Sequence, residues 1–304
     1  MTLAGLLLTV VGSLFFSTKA VLVKLAFRDT PVDAVSLLAA RMFFALPFYL
    51  LAAWWSRPKG DIAPLTRKQW IYILGLGLAG YYLSSLFDFM GLQYISAGLE
   101  RLILFLYPSF SVLINAWAFK EKVPKRQRWA LALTYAGILL AYVGELTIDS
   151  DNPGFFLGTG LIFLCSITFA IYISGSGRLI PQVGTTRFTA YVMLSSSFGV
   201  FMHFLVAGNF SILDQSADFV WYGLALGVVA TVIPSFLISA GTKRIGSNNS
   251  AIISSIGPVS TIIQAWWLLD EPIFATQIIG TLLVLGGVVL LGWVPAKNRD
   301  KKPE

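Results

Sequence analysis

GLQYISAGLERLILFLYPSFSVLINAWAFKEKVPKRQRWALALTYAGILLAYVG, residues 91–144, returns 150 positions later as GTKRIGSNNSAIISSIGPVSTIIQAWWLLDEPIFATQIIGTLLVLGGVVLLGWV, residues 241–294. Without a gap, Gly91 falls on Gly241, Ile95 on Ile245, Pro108 on Pro258, Trp117 on Trp267, Glu121 on Glu271 and Gly137 on Gly287. Each stretch holds two apolar runs joined by a short connection that carries the glutamate. Chance matching of apolar sequences is the competing explanation, and two prolines at the same depth of a run weigh against it.

Outward from this repeat the whole chain is apolar. Of 304 residues, 56% are apolar and 12% charged, about half the charge of a soluble domain. A spanning helix needs roughly 20 apolar residues, because inside hydrocarbon only a helix or a closed barrel satisfies the backbone. Such runs lie near 3–27, 34–55, 70–90, 96–119, 127–145, 155–174, 187–207, 218–240, 248–269 and 273–294. The first lacks the basic start of a signal peptide and exceeds its core length, so it reads as helix 1. The longest connection runs from Ser56 to Gln69, too short for a separate soluble domain. All nine tryptophans, Trp54, Trp55, Trp70, Trp117, Trp129, Trp221, Trp266, Trp267 and Trp293, fall near predicted helix ends, as interfacial belts do. The chain therefore reads as an all-α integral membrane protein of ten transmembrane helices.

A net charge of +7 suggests nucleic acid in a soluble protein, so the placement of the cations decides their meaning. With the N-terminus inside, the even-numbered connections and the tail hold Arg57, Lys59, Arg67, Lys68, Lys120, Lys122, Lys125, Arg126, Arg128, Arg178, Arg187, Lys243, Arg244, Lys297, Arg299, Lys301 and Lys302. The odd-numbered connections hold Arg28 alone and collect Asp29, Asp33, Asp149, Asp151, Asp214, Asp218, Asp270 and Glu271. The positive-inside rule makes both termini cytoplasmic and the span number even. The basic loops are topology signals, and no nucleic-acid partner is expected. Five spans per half invert the second half relative to the first, the architecture of many secondary transporters. The expected division is residues 1–148 for the first repeat (helices 1–5), 149–296 for the second (helices 6–10) and 297–304 for a basic cytoplasmic tail.

The two matching runs, from Gly91 through Pro108 and Glu121 to Gly137 and from Gly241 through Pro258 and Glu271 to Gly287, together with ARMFFALPFYL at 40–50, resemble the EamA domains of the drug/metabolite transporter superfamily. The resemblance covers essentially the whole chain. It implies ten helices, cytoplasmic termini in the cell (inner) membrane, alternating access, and export of small metabolites, amino acids foremost. Helix 1 departs from the family's usual Trp-Gly pair, carrying Gly12 and Ser13.

Ionisable residues are costly inside a bilayer, about 3 kcal/mol each on insertion scales, so those in the spans are functional candidates. At about 1.5 Å per residue, Lys19, Arg41, Asp88, Glu100 and Arg101 all fall in the external half, from four helices. They form either a polar vestibule or gate, with Asp88 or Glu100 as a proton site, or structural ion pairs that fix helix register. Lys24 and His203 lie near an interface and read as snorkelling side chains. Helix 4 places Glu100, Tyr107, Ser111 and Asn115 on one face, and helix 9 does the same with Ser250, Ser254, Gly257 and Thr261. These stripes line a central cavity or make interhelical hydrogen bonds. Helix 3 adds Tyr81, Ser85 and Asp88 by the same spacing. Pro108 and Pro258 break their helices as hinges or as static kinks. Gly223 and Gly227 are a packing pair in helix 8.

Little in the sequence builds a catalytic centre. Cys165 is the only cysteine, sits in an apolar run and reads as packing, and one histidine gives no metal cluster. No Gly-Lys-Ser/Thr phosphate loop is present, so neither ATP nor any cofactor is expected. The expected partners are the lipid bilayer, a small solute and protons. The expected activity is secondary transport, most simply export; the alternatives are a channel, a lipid flippase or, further off, a membrane-embedded enzyme.

Overall fold

The computed structural model describes residues 2–56, 64–120, 123–146, 152–208, 217–245, 250 and 253–292. Outside these residues lie the basic tail 297–304 and, from the charge pattern and the repeat, Arg57, Lys59, Glu121, Lys122, Asp149, Asp151, Asp214, Trp293 and Val294. The described chain runs as α1 (Leu3–Asp29), α2 (Ala34–Trp55), α3 (Arg67–Gly91), α4 in two pieces (Ala97–Leu104 and Tyr107–Phe119), α5 (Lys125–Leu146), α6 (Phe155–Val183), α7 (Thr185–Ala207), α8 (Ala217–Ile245), α9 (Ile256–Leu269) and α10 (Ala275–Gly292). Among the described residues, α1 to α8 are long and apolar enough to span a bilayer, and α9 and α10 are shorter apolar helices. The fold is the all-α, ten-helix membrane architecture expected, in two inverted five-helix repeats.

Side-chain caps set the helix starts. The Asp33 carboxylate accepts from the Val35 and Ser36 amides, both at 2.9 Å, and opens α2. Thr66 and Gln69 cap each other reciprocally, so α3 begins three residues before the apolar run. The α6 helix extends nine residues past its expected end at 174. Leu179 and Val183 there are buried with Ile73, Leu76, Phe188 and Val192, and this contact outweighs the glycines and serines of 174–177. The helix stops at Gly184, where φ is +88°.

The repeat is visible in backbone detail. Segments with i→i+5 hydrogen bonding occupy Leu76–Tyr82 in α3 and Ala225–Val232 in α8, equivalent positions of the two halves. Among the described residues, Lys120 and Asp270 are the non-glycine residues at positive φ, 56° and 57°; they cap α4 and α9 through Asn115 and Ala265 carbonyls. Both helices also break at equivalent places: α4 at Phe105–Leu106 and α9 at Ser255, with residues 253–254 helical before it. Pro108 and Pro258 follow these breaks by a few residues. A proline cannot donate to the carbonyl four residues back and its ring presses on that carbonyl, so the chain yields just ahead of it.

Helix pairing obeys the same two-fold relation. The α1 helix packs on α8 as α6 packs on α3, α1 on α9 as α6 on α4, and α2 on α7 and α5 on α10 across the axis. The α5–α10 crossing is closest at its glycines. A Cβ on Gly137 would sit 2.5 Å from the Gly280 carbonyl oxygen, and one on Gly287 would sit 2.8 Å from that of Ala130. Gly223 and Gly227 draw α8 onto α2 in the same manner; a Cβ on Gly227 would lie 2.7 Å from the Arg41 carbonyl oxygen. Small residues at such crossings are how helices associate in lipid, where no hydrophobic force separates them from the solvent.

Candidate functional site

Between the halves of this bundle lies a small, partly open cavity of about 30 Å³. Its wall consists of Phe16 and Lys19 from α1, Arg41 from α2, Tyr81, Ser84 and Ser85 from α3, Leu104 from α4, and Cys165 and Phe169 from α6. Four of the residues expected on a cavity or gate, Lys19, Arg41, Tyr81 and Ser85, thus share one wall. Helix α2 joins the lining and α9 does not.

Arg41 is held by the i→i+5 segment of α8 and by α3 just beyond its own segment. Its Nε donates to Thr231 Oγ1 in the α8 segment at 2.8 Å, and Nη1 donates to Ser85 Oγ at 3.2 Å, one turn past the α3 segment. Thr231 in turn donates to the Leu226 carbonyl, five residues back, at 2.8 Å, which fixes its oxygen toward the arginine. The guanidinium lies 5.8 Å from the Tyr81 ring centre and 5.5 Å from that of Phe89. Such π-type segments recur at functional sites because they turn side chains out of helical register.

Lys19 on the wall and Asp88, Glu100 and Arg101 behind it form a second group. Lys19 Nζ is 2.7 Å from Asp88 Oδ2, and Arg101 Nε is 3.8 Å from Glu100 Oε2. Both carboxylates are wholly buried and face each other. Arg101 also donates to Thr261 Oγ1 at 3.1 Å, and Phe16 lies under both cations, 5.6 Å from Lys19 and 5.5 Å from Arg101. Desolvating such charges is tolerable only when they compensate one another, and here two cations meet two carboxyl groups. Of the five residues expected to neutralise one another, Lys19, Asp88, Glu100 and Arg101 lie together, and Arg41 stands apart from them.

The polar stripes of α4 and α9 face neighbouring helices. Ser111 bonds Ser174 of α6 at 2.8 Å. On the other side of the axis, Ser13 donates to Ser254 at 2.9 Å, Ser17 to the Gly257 carbonyl at 3.2 Å, and Thr261 to the Ser17 carbonyl at 3.2 Å. Ser250 accepts from Thr242 at 2.7 Å. The four-residue spacing of Ser13 and Ser17 on α1 supplies partners all along the α9 face, which is why α9 is zipped to α1 and turned from the cavity. Tyr107 packs edge-on against Phe169, 5.0 Å between ring centres, and so borders the wall. Among the described residues, buried Asn115 Oδ1 has no hydrogen-bond partner.

Several residues differ from their sequence reading. Cys165, read as packing, is on the cavity wall. Lys24 does not snorkel: its Nζ donates to the Ile95 carbonyl at 2.7 Å and lies 3.3 Å from Glu271. His203 Nδ1 is 2.9 Å from Tyr82 Oη and ties α7 to α3. Phe16, Ser84, Leu104, Phe169 and Thr231 were not legible as site residues. Cys165, Phe169 and Tyr172 do recur at helical spacing on α6, but an aromatic stripe in an apolar helix carries no signal that separates lining from lipid-facing surface.

A helical bundle of two inverted repeats around an internal cavity whose charged lining residues are Lys19 and Arg41 is the architecture of a multi-pass membrane protein. A model of the EamA-like transporter family matches residues 3–143 and again 156–293, and the chain belongs to this family, within the drug/metabolite transporter superfamily. It is 30% identical to the uncharacterized transporter YcbK of Bacillus subtilis (strain 168), over 99% of this chain and 96% of the relative. It is 21% identical to an uncharacterized transporter of Archaeoglobus fulgidus, over 93% of this chain and 96% of the relative. A crystal structure with 18% sequence identity superposes with a TM-score of 0.64 over 96% of this chain and 97% of that one, a likeness of fold.

Proposed function

We propose that the protein is a secondary transporter in the cell (inner) membrane, with cytoplasmic termini, that exports small metabolites, amino acids foremost, by alternating access. The observation that carries this reading is the cavity at the centre of the bundle, walled by helices of the first repeat and by α6 of the second, beside two helices broken at equivalent points. Rocking of the two halves about these breaks would expose the cavity to either side in turn. Pro108 and Pro258 are the hinges in this scheme. Asp88 and Glu100, facing Lys19 and Arg101, are the candidates for coupling export to protons.

The test is counterflow in proteoliposomes containing the purified protein, with a panel of radiolabelled amino acids and related metabolites, with and without a pH gradient. Saturable exchange that unlabelled solute competes for is the expected result. Non-saturable flux would mean a channel, and no exchange of any solute would remove the reading. Glu100→Gln is expected to keep exchange while losing its response to the gradient; an unchanged response sinks proton coupling through this residue.

A further inference from the structure

The charges on the cavity wall are of one sign. Lys19 and Arg41 are lining residues, whereas Asp88 and Glu100 lie beneath the wall with no accessible surface. Lys19 has its counter-ion in Asp88. Arg41 has none: among the described residues no carboxylate lies within 4 Å of its guanidinium, although the residue is only 2% exposed. A buried cation without an anion is a costly feature, and proteins keep such groups where a ligand completes them.

The hydrogen bonds that hold Arg41 leave a particular edge free. Thr231 takes Nε and Ser85 takes one N–H of Nη1, so among the described residues Nη2 and the second N–H of Nη1 have no acceptor. The Nη1–Nη2 edge is a parallel fork that grips a carboxylate with two hydrogen bonds, provided Ser85 takes the Nη1 hydrogen turned toward Cδ. Around it the wall is aromatic and apolar, from Phe16, Tyr81, Leu104 and Phe169. No lining residue offers a negative charge to an ammonium group.

From this we infer that the cavity binds small monocarboxylates with an aromatic or apolar body, the carboxylate on Arg41 with Lys19 nearby, and that an α-amino group is not needed for recognition. This rests on the cavity being the substrate site and narrows what that site selects: the acid function is the required feature. In this conformation the cavity, about 30 Å³, has room for a water or two, so the body of the acid needs the opening that rocking of the two halves would supply.

The experiment is equilibrium binding to the full-length protein in detergent, with tritiated 3-phenylpropionate and other six- to eleven-carbon acids, each compared with its amide and the matching amine. The expected result is that acids bind roughly ten- to a hundredfold more tightly than their amides, the range a charge-assisted fork supplies, and that amines do not compete. Phenylalanine should compete no better than 3-phenylpropionate. Amides or amines binding as well as acids, or no acid binding at all, overturns the inference. In variants checked for monodispersity, Arg41→Gln should erase the preference for acid over amide and Arg41→Lys should retain part of it, a lysine providing the charge without the fork. If Arg41→Gln does not fold, the wild-type series decides alone. Counterflow is read separately: an acid that binds without being exchanged removes the transport reading and leaves this one, whereas exchange of amines or neutral solutes without acid binding does the reverse.

Discussion

Replacing Glu271 tests the physical meaning of the repeated glutamate. Its carboxylate comes from the connection between α9 and α10, yet it caps another helix: both oxygens accept from the Ala97 amide, at 3.1 and 3.0 Å, at the first residue of α4. That amide is one of the donors a helix start leaves without a partner. Ser96 Oγ takes the Leu99 amide at 3.0 Å, and Glu145 takes the Ser96 amide and hydroxyl at 3.3 and 2.8 Å. Removing the carboxylate in Glu271→Ala forfeits a charge-assisted hydrogen bond, about 1.5–3 kcal/mol, and a helix-dipole contact of about 0.3–1 kcal/mol. Lys24 stays partnered by the Ile95 carbonyl, so no second orphan is created. The sum, about 2–4 kcal/mol, corresponds to a fall of roughly 3–6 °C in the melting temperature of the purified protein. Glu271→Gln keeps an acceptor and loses only the charge, so its loss should be about 1 kcal/mol. Thermal unfolding followed by tryptophan fluorescence measures both. A Glu271→Ala protein melting within a degree of wild type would refute the capping argument, and equal losses in the two variants would assign the effect to the Lys24 ion pair.

Three further outcomes are expected. Gly137→Leu should separate α5 from α10 and lower the melting temperature by several degrees, since even a Cβ meets the Gly280 carbonyl at 2.5 Å; Gly286→Ala, with no atom within 4 Å of its Cβ, should be neutral or slightly stabilising. Asp33→Ala should cost about 1 kcal/mol through loss of the α2 cap, and Asp33→Asn should restore most of it in the same assay. Asp88→Asn leaves Lys19 buried without its anion and should cost about 3–5 kcal/mol, with Lys19→Met added to it recovering much of the loss; a double variant no more stable than the single would show that the pair is not the source.

Spans, helical class and repeat were legible because hydrocarbon permits few solutions and each leaves a long signature. The apolar run of 34–55 matches α2 residue for residue, and the offset that aligned Pro108 with Pro258 also aligns the breaks, the positive-φ caps and the i→i+5 segments. Boundaries failed where tertiary contact prolonged a helix, as in α6. Depth along a span was legible too, from 1.5 Å per residue, and it brought Lys19, Asp88, Glu100 and Arg101 to one level.

Rotation about each helix axis was not legible, and it decided the site. Depth cannot tell which side of a helix faces which neighbour, so Ser254 and Thr261 read as well for a cavity as for the α1 contact they make. The glycines at 223 and 227 settled one such rotation by drawing α8 close enough to α2 for Thr231 to meet Arg41. The sequence by itself determined that charges would be buried in this membrane fold and at what depth. Only the tertiary structure decided which were compensated, because compensation acts over a few ångströms across helices dozens to hundreds of residues apart, and there, among the described residues, Asp88 answers Lys19 while no carboxylate answers Arg41.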